Sequence, residues 1–457
     1  MNSSPYSLIQ GIGMMNTSSI ISRLLPITTT LSASQEIHIA NHSALKLTKQ
    51  YGTPLYIFDQ ATIIDACKHY QKAFEAYYHA SDVHMLYASK AYISPLVAQL
   101  MAEQGFGLDI VSGGELAVAQ RAKFPMHRIS FHGNNKSEAE LRLALEVGVG
   151  RIILDNWSEI DRLARLAQEL HMHPAVLLRV APEVETDTHR YLQTGHTSSK
   201  FGFALAEAKA ASKHILYETS LRLIGLHAHT GTMLREVRPY QECLACLLQL
   251  ADELQSETGW WPEEVSPGGG WAIDTIDKPS VPLIEQLAQA LQASMERGIA
   301  QTGKVLPTPT LILEPGRSII ARAGVAVYRI GARKTTASGI TYLFVDGGMA
   351  DNIRPALYGA VYTALPVDNV MRPAEETVCI SGRYCESGDM LIENVQLPRM
   401  QEGDYIVLPT AGAYCLPMAN NYNLVPRPAV LLINETQILT MERRETYDDV
   451  LARYSDV

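Results

Sequence analysis

The sequence predicts an α/β plus β protein, a (β/α)8 (TIM) barrel joined to a second, mainly antiparallel β domain. Three observations predict it. Eight short apolar runs recur between residues 83 and 316, and amphipathic segments of helical period separate them. After about residue 320 the texture changes to Gly-, Pro- and β-branched-rich runs. The chain has 457 residues, more than one ordinary core serves.

The runs are VHMLYAS (83–89), GLDIV (107–111), RISFHG (128–133), RIILD (151–155), AVLLRVA (175–181), LIGLHAH (223–229), EEVSPGGG (263–270) and LILEPG (311–316). Segments such as SPLVAQLMAEQ, SEAELRLALEV and SEIDRLARLAQEL lie between them as helices. An open doubly wound sheet has the same alternation, but neither GxGxxG nor a Walker loop is present, and the count of eight favours the barrel. A helix-like stretch, DQATIIDACKHYQKAFEAYY, opens the barrel, which spans 59–318. Runs such as VAVYRIGARKT, ITYLFVDGG and AVLLINETQIL make 319–457 the β domain. The strand-like EIHIA and LYIFD place 36–58 in that same domain, which is then discontinuous. Residues 1–35 are rich in Ser and Thr, lack acidic residues and carry only Arg23, so they read as a poorly ordered N-terminal extension.

Composition is that of a globular protein, 47% hydrophobic and 19% charged. The formal charge of −10, spread along the chain, argues against nucleic acid and anionic membrane as partners. No apolar run approaches the roughly 20 residues of a membrane span. Six cysteines in so long a chain make no disulfide framework, which points to a reducing cytoplasm. Cys243 and Cys246 form a CxxC, but within QECLACLLQLADEL, a helical apolar pattern of buried thiols. No metal site is expected.

Barrel enzymes work at the C-terminal ends of their strands, and here nearly every strand ends in polar residues. They are Ser89-Lys90, Ser112 and Glu115, His132 to Asn135, Asp155-Asn156, Arg179, His227 to Thr232, Gly268 to Gly270, and Glu314 to Arg317. A lysine after an apolar strand is ordinarily just solvated; its neighbours change the reading of Lys90. Three glycines let backbone N–H groups approach an anion closely, and Arg317 adds a cation at the adjacent strand end, where barrels commonly bind phosphate. A lysine across the barrel mouth from a phosphate cradle suits a pyridoxal 5′-phosphate (PLP) enzyme, the lysine taking the cofactor's aldehyde. Glu314 would keep the pyridine nitrogen protonated, His229 would lie against a ring face, and His227, two residues away, shares its inward direction. Asp109, Ser112 and Glu115 are supporting candidates.

YASKA (87–91), GLDIVSGGEL (107–116), FHGNNKS (131–137), KFG (200–202), GLHAHTGT (225–232), PGGGW (267–271) and EPGR (314–317) resemble the PLP-dependent decarboxylases of the alanine-racemase-like fold, the ornithine/diaminopimelate/arginine decarboxylase family. With RPALY (354–358), CESGD (385–389), GAY (412–414) and NNYN (420–423), the ordered set over about 36–440 is similar to its diaminopimelate-acting branch. The resemblance implies decarboxylation of meso-2,6-diaminopimelate to L-lysine and CO2. Lys90 would hold the cofactor, with Gly268, Gly269, Gly270 and Arg317 on its phosphate, Glu314 and His229 about its ring, Tyr414 in contact with it, and Thr232, Pro315 and Gly316 among its binding residues. Cys385 would reprotonate the product carbon, and Arg317, Arg354, Tyr358, Glu386 and Tyr414 would bind the substrate. It also implies a homodimer in which Cys385 and Glu386 reach the partner's active site. A thiol buried beside a carboxylate would stay protonated, as a donor must.

The sequence departs from the family pattern at Thr232 for serine, at Ser266-Pro267, at Tyr384 and at Tyr92, without losing a catalytic group. The nearest rival is a decarboxylase of this fold acting on ornithine, arginine, a D-amino acid such as D-lysine, or a carrier-bound substrate. A racemase of this fold would place an arginine where Glu314 stands.

Overall fold

Apolar runs too short for helices, each closed by Gly, Ser, Asn or a strand-end polar residue, become the staves of a barrel. In the computed structural model, which describes residues 16–79, 82–182 and 200–455, they are β1 (Val83–Ala88), β2 (Gly107–Ile110), β3 (Ile129–Phe131), β4 (Arg151–Leu154), β5 (Ala175–Ala181), β6 (Arg222–His227), β7 (Glu264–Gly268) and β8 (Thr310–Leu313). All neighbours pair in parallel, and the pairings of β8 with β1 and of β4 with β5 close the ring. The strands are almost wholly buried, as a sheet covered by helices requires.

The loops leaving β1 to β4 are held by their own helix starts. Ser94, Ser112, Ser137 and Asn156 each cap a helix by accepting a backbone N–H. Carboxylates in the first helical turns reach back as well: Glu115 accepts the Val111 N–H at 2.6 Å, Glu140 that of Gly113 at 2.7 Å and Glu159 that of Asp155 at 2.9 Å. Lys136 is buried with Glu159, 2.6 Å away, and donates to the carbonyls of Gly133 and Ile153. These ties make the β2, β3 and β4 strand ends a rigid rim.

The chain divides into two compact units, the barrel unit being Ile64–Ile273 with Pro282–Ile320. The other, a β unit, takes the described residues up to Ile63, Asp274–Val281, and Ala321 onward. Its main sheet runs Met390–Leu397, Glu376–Ser381, Thr341–Val345, Gly324–Thr335, Leu55–Asp59, Ala429–Ile433 and Ile438–Glu442 in order across. Tyr405–Leu408 also pairs with Gly324–Thr335. Most pairs are antiparallel; Leu55–Asp59 with Ala429–Ile433 and Thr341–Val345 with Glu376–Ser381 are parallel. Leu55–Asp59 thus brings the early LYIFD run into a sheet built by the late chain, while Ile37–Ile39 of EIHIA lies in a small separate three-stranded sheet.

Two features depart from the sequence expectation. Residues 1–15 lie outside the described residues, but residues 16–35 are folded. Thr17–Leu24 is a helix capped by Asn16, and Ile20, Leu24 and Leu25 pack into a core with Leu55, Val327 and Leu431. The Arg322 guanidinium donates to the carbonyls of Leu25 and Ser22. Within the helix Ser18 and Ser22 are exposed while Ile20 and Leu24 are buried, so its Ser-rich composition belongs to the outer face of a short amphipathic element. Second, Asp274–Val281, within the barrel's sequence span, belongs to the β unit, where Asp274 pairs with Arg23 at 2.7 Å and accepts the Val281 N–H. Because Leu24 is only 2% exposed, Leu24→Ala is expected to lower stability by about 2–5 kcal/mol, read as a reduced urea midpoint; a midpoint equal to wild type would show that this helix is not part of the β-unit core.

Candidate active site

Strand β1 runs into a short 3-10 turn, Ser89–Ala91, that buries Ser89 and Ala91 and leaves the Lys90 side chain exposed at the strand end. The end of β8 presses on this turn. Ala88 N–H donates to the Pro315 carbonyl at 3.1 Å. A Cβ on Gly316 would lie 2.9 Å from that of Ala88 and 3.3 Å from that of Ala91. Any side chain at Gly316 would therefore push the Lys90 turn away. Pro315-Gly316 then lead to half-buried Arg317 at the start of the helix Arg317–Ile320.

The three glycines are wedged between the end of β6 and Glu314. A Cβ would meet His229 Nδ1 at 2.6 Å from Gly268, the Glu314 carbonyl at 1.9 Å from Gly269 and the Gly231 carbonyl at 2.0 Å from Gly270. Gly268 and Gly270 also have φ of +81° and +103°, which side chains rarely adopt. Gly269 N–H donates to His229 Nδ1 at 3.3 Å and its carbonyl accepts from Tyr240 at 3.0 Å. The acceptor role of Nδ1 assigns the proton of a neutral His229 to Nε2. Thr232 is half-buried beside Gly270.

Behind this cradle lies a buried polar cluster. Glu314, 6% exposed, has His227 Nε2 3.0 Å from Oε1, accepts from Ser266 Oγ at 3.3 Å, and has His132 Nε2 at 3.4 Å. His132 Nε2 also stands 3.6 Å from Asp109 Oδ1, and its ring meets His227 edge-on at 4.8 Å. Burial alone would raise the Glu314 carboxyl, but the charges of His227 and His132 and the His227 hydrogen bond outweigh it and hold it below the ordinary carboxylate range. Asp109 goes the other way: burial raises it, and the Lys90 charge does not offset that. Burial also drives His132 and His229 well below the ordinary histidine value. The two buried carboxyls are thus shifted in opposite directions, Glu314 down and Asp109 up. His132 Nε2, His227 Nδ1 and Asp109 Oδ1 are buried and hydrogen-bond to nothing among the described residues. The His132, His227 and Glu314 ligand atoms, within 4.8 Å of one another, have a spacing that a buried cation would also accept.

The strand-end residues of the barrel therefore converge as expected, Lys90, His229, Thr232, Gly268 to Gly270 and Glu314 to Arg317 all standing on one face. A cavity of about 470 Å³, lined by Phe74, Tyr78, Arg128 and Arg151, opens instead at the N-terminal strand ends, and none of these residues lines it. Three contributors lacked an assigned task in the sequence: His132, Ser266 and Arg179, the last 3.7 Å from Asp155. Strand-end position was the signal for His132 and Arg179, and Ser266 stood out only as a departure from the family pattern; which of them face Glu314 depends on barrel register. Glu115, a supporting candidate, proves to be the anchor of the Val111 N–H.

The remaining predicted residues lie in the β unit. Arg354 opens the helix Arg354–Tyr358 and donates to Tyr362 Oη at 2.6 Å; Tyr358 is half-buried. Tyr414, also half-buried, has φ of +62° and acts electrostatically on Arg354. Cys385 and Glu386 correct one expectation, because both are exposed in the chain rather than buried together. Their turn is fixed by its backbone: Cys385 N–H donates to Asn423 Oδ1 at 2.9 Å and its carbonyl accepts from Tyr422 at 3.2 Å. Among the described residues nothing covers either side chain.

Comparison with known proteins gives first a class. The family model described as pyridoxal-dependent decarboxylase, pyridoxal binding domain, matches residues 60–321. The diaminopimelate decarboxylase of Synechocystis sp. is 38% identical over 436 residues, covering 94% of this chain and 92% of its own. That of Bacillus subtilis is 39% identical over 418 residues, covering 91% and 94%. The structure of the M. jannaschii diaminopimelate decarboxylase in co-complex with L-lysine aligns with a TM-score of 0.88 at 30% identity, covering 94% of this chain and 98% of that one. The chain belongs to the diaminopimelate decarboxylase family of pyridoxal-dependent decarboxylases. Among the described residues no helix is long and apolar enough to cross a membrane.

Overpacking of a tight site costs typically about 1–3 kcal/mol, so Gly269→Ala, with its Cβ aimed at the Glu314 carbonyl, is expected to weaken pyridoxal binding by about tenfold or more. Absorbance titration of the apoprotein measures this; unchanged affinity would show that the glycine cradle does not face the cofactor.

Proposed function

We propose that this protein decarboxylates meso-2,6-diaminopimelate to L-lysine and CO2 with pyridoxal 5′-phosphate as its cofactor. Glu314 carries the reading: a carboxylate held ionised inside the barrel by His227 and Ser266 suits a ring nitrogen that must stay protonated. A bare cation would be served by the same atoms, but family membership and the Lys90 turn favour pyridoxal. The glycine cradle and orphaned polar atoms fit the group as well.

Lys90 would hold the cofactor's aldehyde carbon and yield that place to the substrate amine. Gly268, Gly269, Gly270 and Arg317 would hold its phosphate, the glycines by close approach of their backbone and the arginine through its guanidinium, with Thr232, Pro315 and Gly316 among the residues that contact the cofactor. His229 would lie against the ring, and Tyr414 would contact the cofactor. When bound, the cofactor supplies an electron sink for the bonding pair released as CO2 leaves. Arg317, Arg354 and Tyr358 would grip the carboxylate of the remote substrate centre and Glu386 its ammonium, with Tyr414 beside them. Cys385 Sγ would keep the proton that returns to the substrate carbon. The exposure of Cys385 and Glu386 in a single chain supports their use in the active site of a second subunit, and hence a homodimer.

Incubation of the purified protein with meso-diaminopimelate, lysine, ornithine and arginine tests the substrate, with CO2 release expected from diaminopimelate. Release from another amino acid and none from diaminopimelate would overturn the assignment. Lys90→Ala should abolish both turnover and the absorbance of the lysine-bound cofactor. Mixing Lys90→Ala with Cys385→Ala, each inactive alone, should restore about a quarter of wild-type activity, since random pairing in a two-fold dimer leaves one intact site in half of the dimers. No restoration after subunit exchange would mean that each chain builds its own site.

A further inference from the structure

We infer that Tyr362 is a positioning residue for substrate selection, fixing the Arg354 guanidinium so that one edge remains open to a carboxylate; the inference rests on the reading of Arg354 as a substrate-carboxylate group. Arg354 is committed on one side only. Its Nη1 donates to Tyr362 Oη at 2.6 Å, while its Nε is buried and meets no acceptor among the described residues. The carbon of the guanidinium also stands over the Tyr362 ring at 5.6 Å. A buried N–H without an acceptor is unfavourable unless a ligand supplies one. The Nε side of a guanidinium is one of the two edges that grip a carboxylate bidentately.

Tyr362 is itself held from behind. It is 7% exposed, and its hydroxyl lies 3.4 Å from Cys415 Sγ. Cys415, fully buried, donates to Asn352 Oδ1 at 3.4 Å, and that oxygen accepts the backbone N–H of Arg354, also at 3.4 Å. Arg354, Tyr362, Cys415 and Asn352 therefore close a ring of contacts that begins and ends on the same arginine. Tyr362 Oη thus accepts from Arg354 on one side and meets the Cys415 sulfur on the other. Nothing in it needs the substrate. The ring orients the guanidinium in advance, and a planar fork gains its selectivity from such orientation.

L-Lysine and 1,5-diaminopentane differ only by the carboxylate that Arg354 would bind, and their inhibition constants against the PLP-loaded enzyme isolate the effect. Tyr362→Phe keeps the ring and removes the hydroxyl. It is expected to weaken L-lysine by about tenfold and 1,5-diaminopentane by less than about twofold, and to raise the KM for diaminopimelate more than it lowers kcat. Equal weakening of both inhibitors, or of neither, would overturn the inference. Tyr362→Gln, which restores an acceptor oxygen, should recover part of the preference for L-lysine and supplies the test if Tyr362→Phe does not fold; full loss of preference in a folded Tyr362→Gln counts against the inference. Arg354→Gln separates the two readings. If it leaves the preference intact, Arg354 does not bind the carboxylate; if it abolishes the preference while Tyr362→Phe retains it, only the role of Tyr362 fails.

Discussion

A charged carboxylate inside a protein must be compensated by its surroundings, and in this barrel those surroundings are built around Glu314. His227 and Ser266 come from the ends of β6 and β7, and His132 from the end of β3. Closure of the ring sets strands far apart in sequence at the right distance. The compensation also leaves buried polar atoms that hydrogen-bond to nothing among the described residues. Burial shifts Asp109 up and His132 and His229 down, and at Glu314 alone the histidine contacts outweigh it and shift the carboxyl down. Opposite shifts of neighbouring carboxyls suit the pocket of an electron-accepting cofactor.

The glycines extend the argument from charge to space. Gly269 and Gly316 have no positive φ to explain them; they are glycines because backbone or β-carbon atoms of neighbouring strand ends already fill the side-chain volume. Gly316 keeps β8 against the Lys90 turn, and Gly269 keeps β7 against Glu314. The distances among lysine, cradle and carboxylate therefore depend on two absent side chains as much as on the groups present.

In the β unit the same economy serves recognition. Arg354 is oriented by a closed set of buried contacts, whereas Cys385 and Glu386 stand exposed on a turn fixed by Asn423 and Tyr422. The contrast suits their proposed tasks. A carboxylate grip benefits from an orientation set beforehand, and residues offered to another subunit must remain uncovered in their own.

The sequence by itself determined the number and order of the elements. Periodicity and capping residues such as Ser112, Ser137 and Asn156 are local properties, so eight strands and their helices were legible to within a few residues. The convergence of Lys90, the triple glycine and Glu314 to Arg317 was legible too, because strand ends in a barrel share one face. Local pattern was silent where the outcome depended on distant packing. The helix Thr17–Leu24 is stabilised by a core assembled from Leu55, Val327 and Leu431, and Asp274–Val281 leaves the barrel unit to meet Arg23. Only the tertiary structure decided that His132 and Ser266 face Glu314, that Cys385 is exposed, and that Tyr362 and Cys415 brace Arg354. Each of these is a contact between residues far apart in the chain or a solvent exposure, and burial and electrostatics act through space, which a linear pattern does not record.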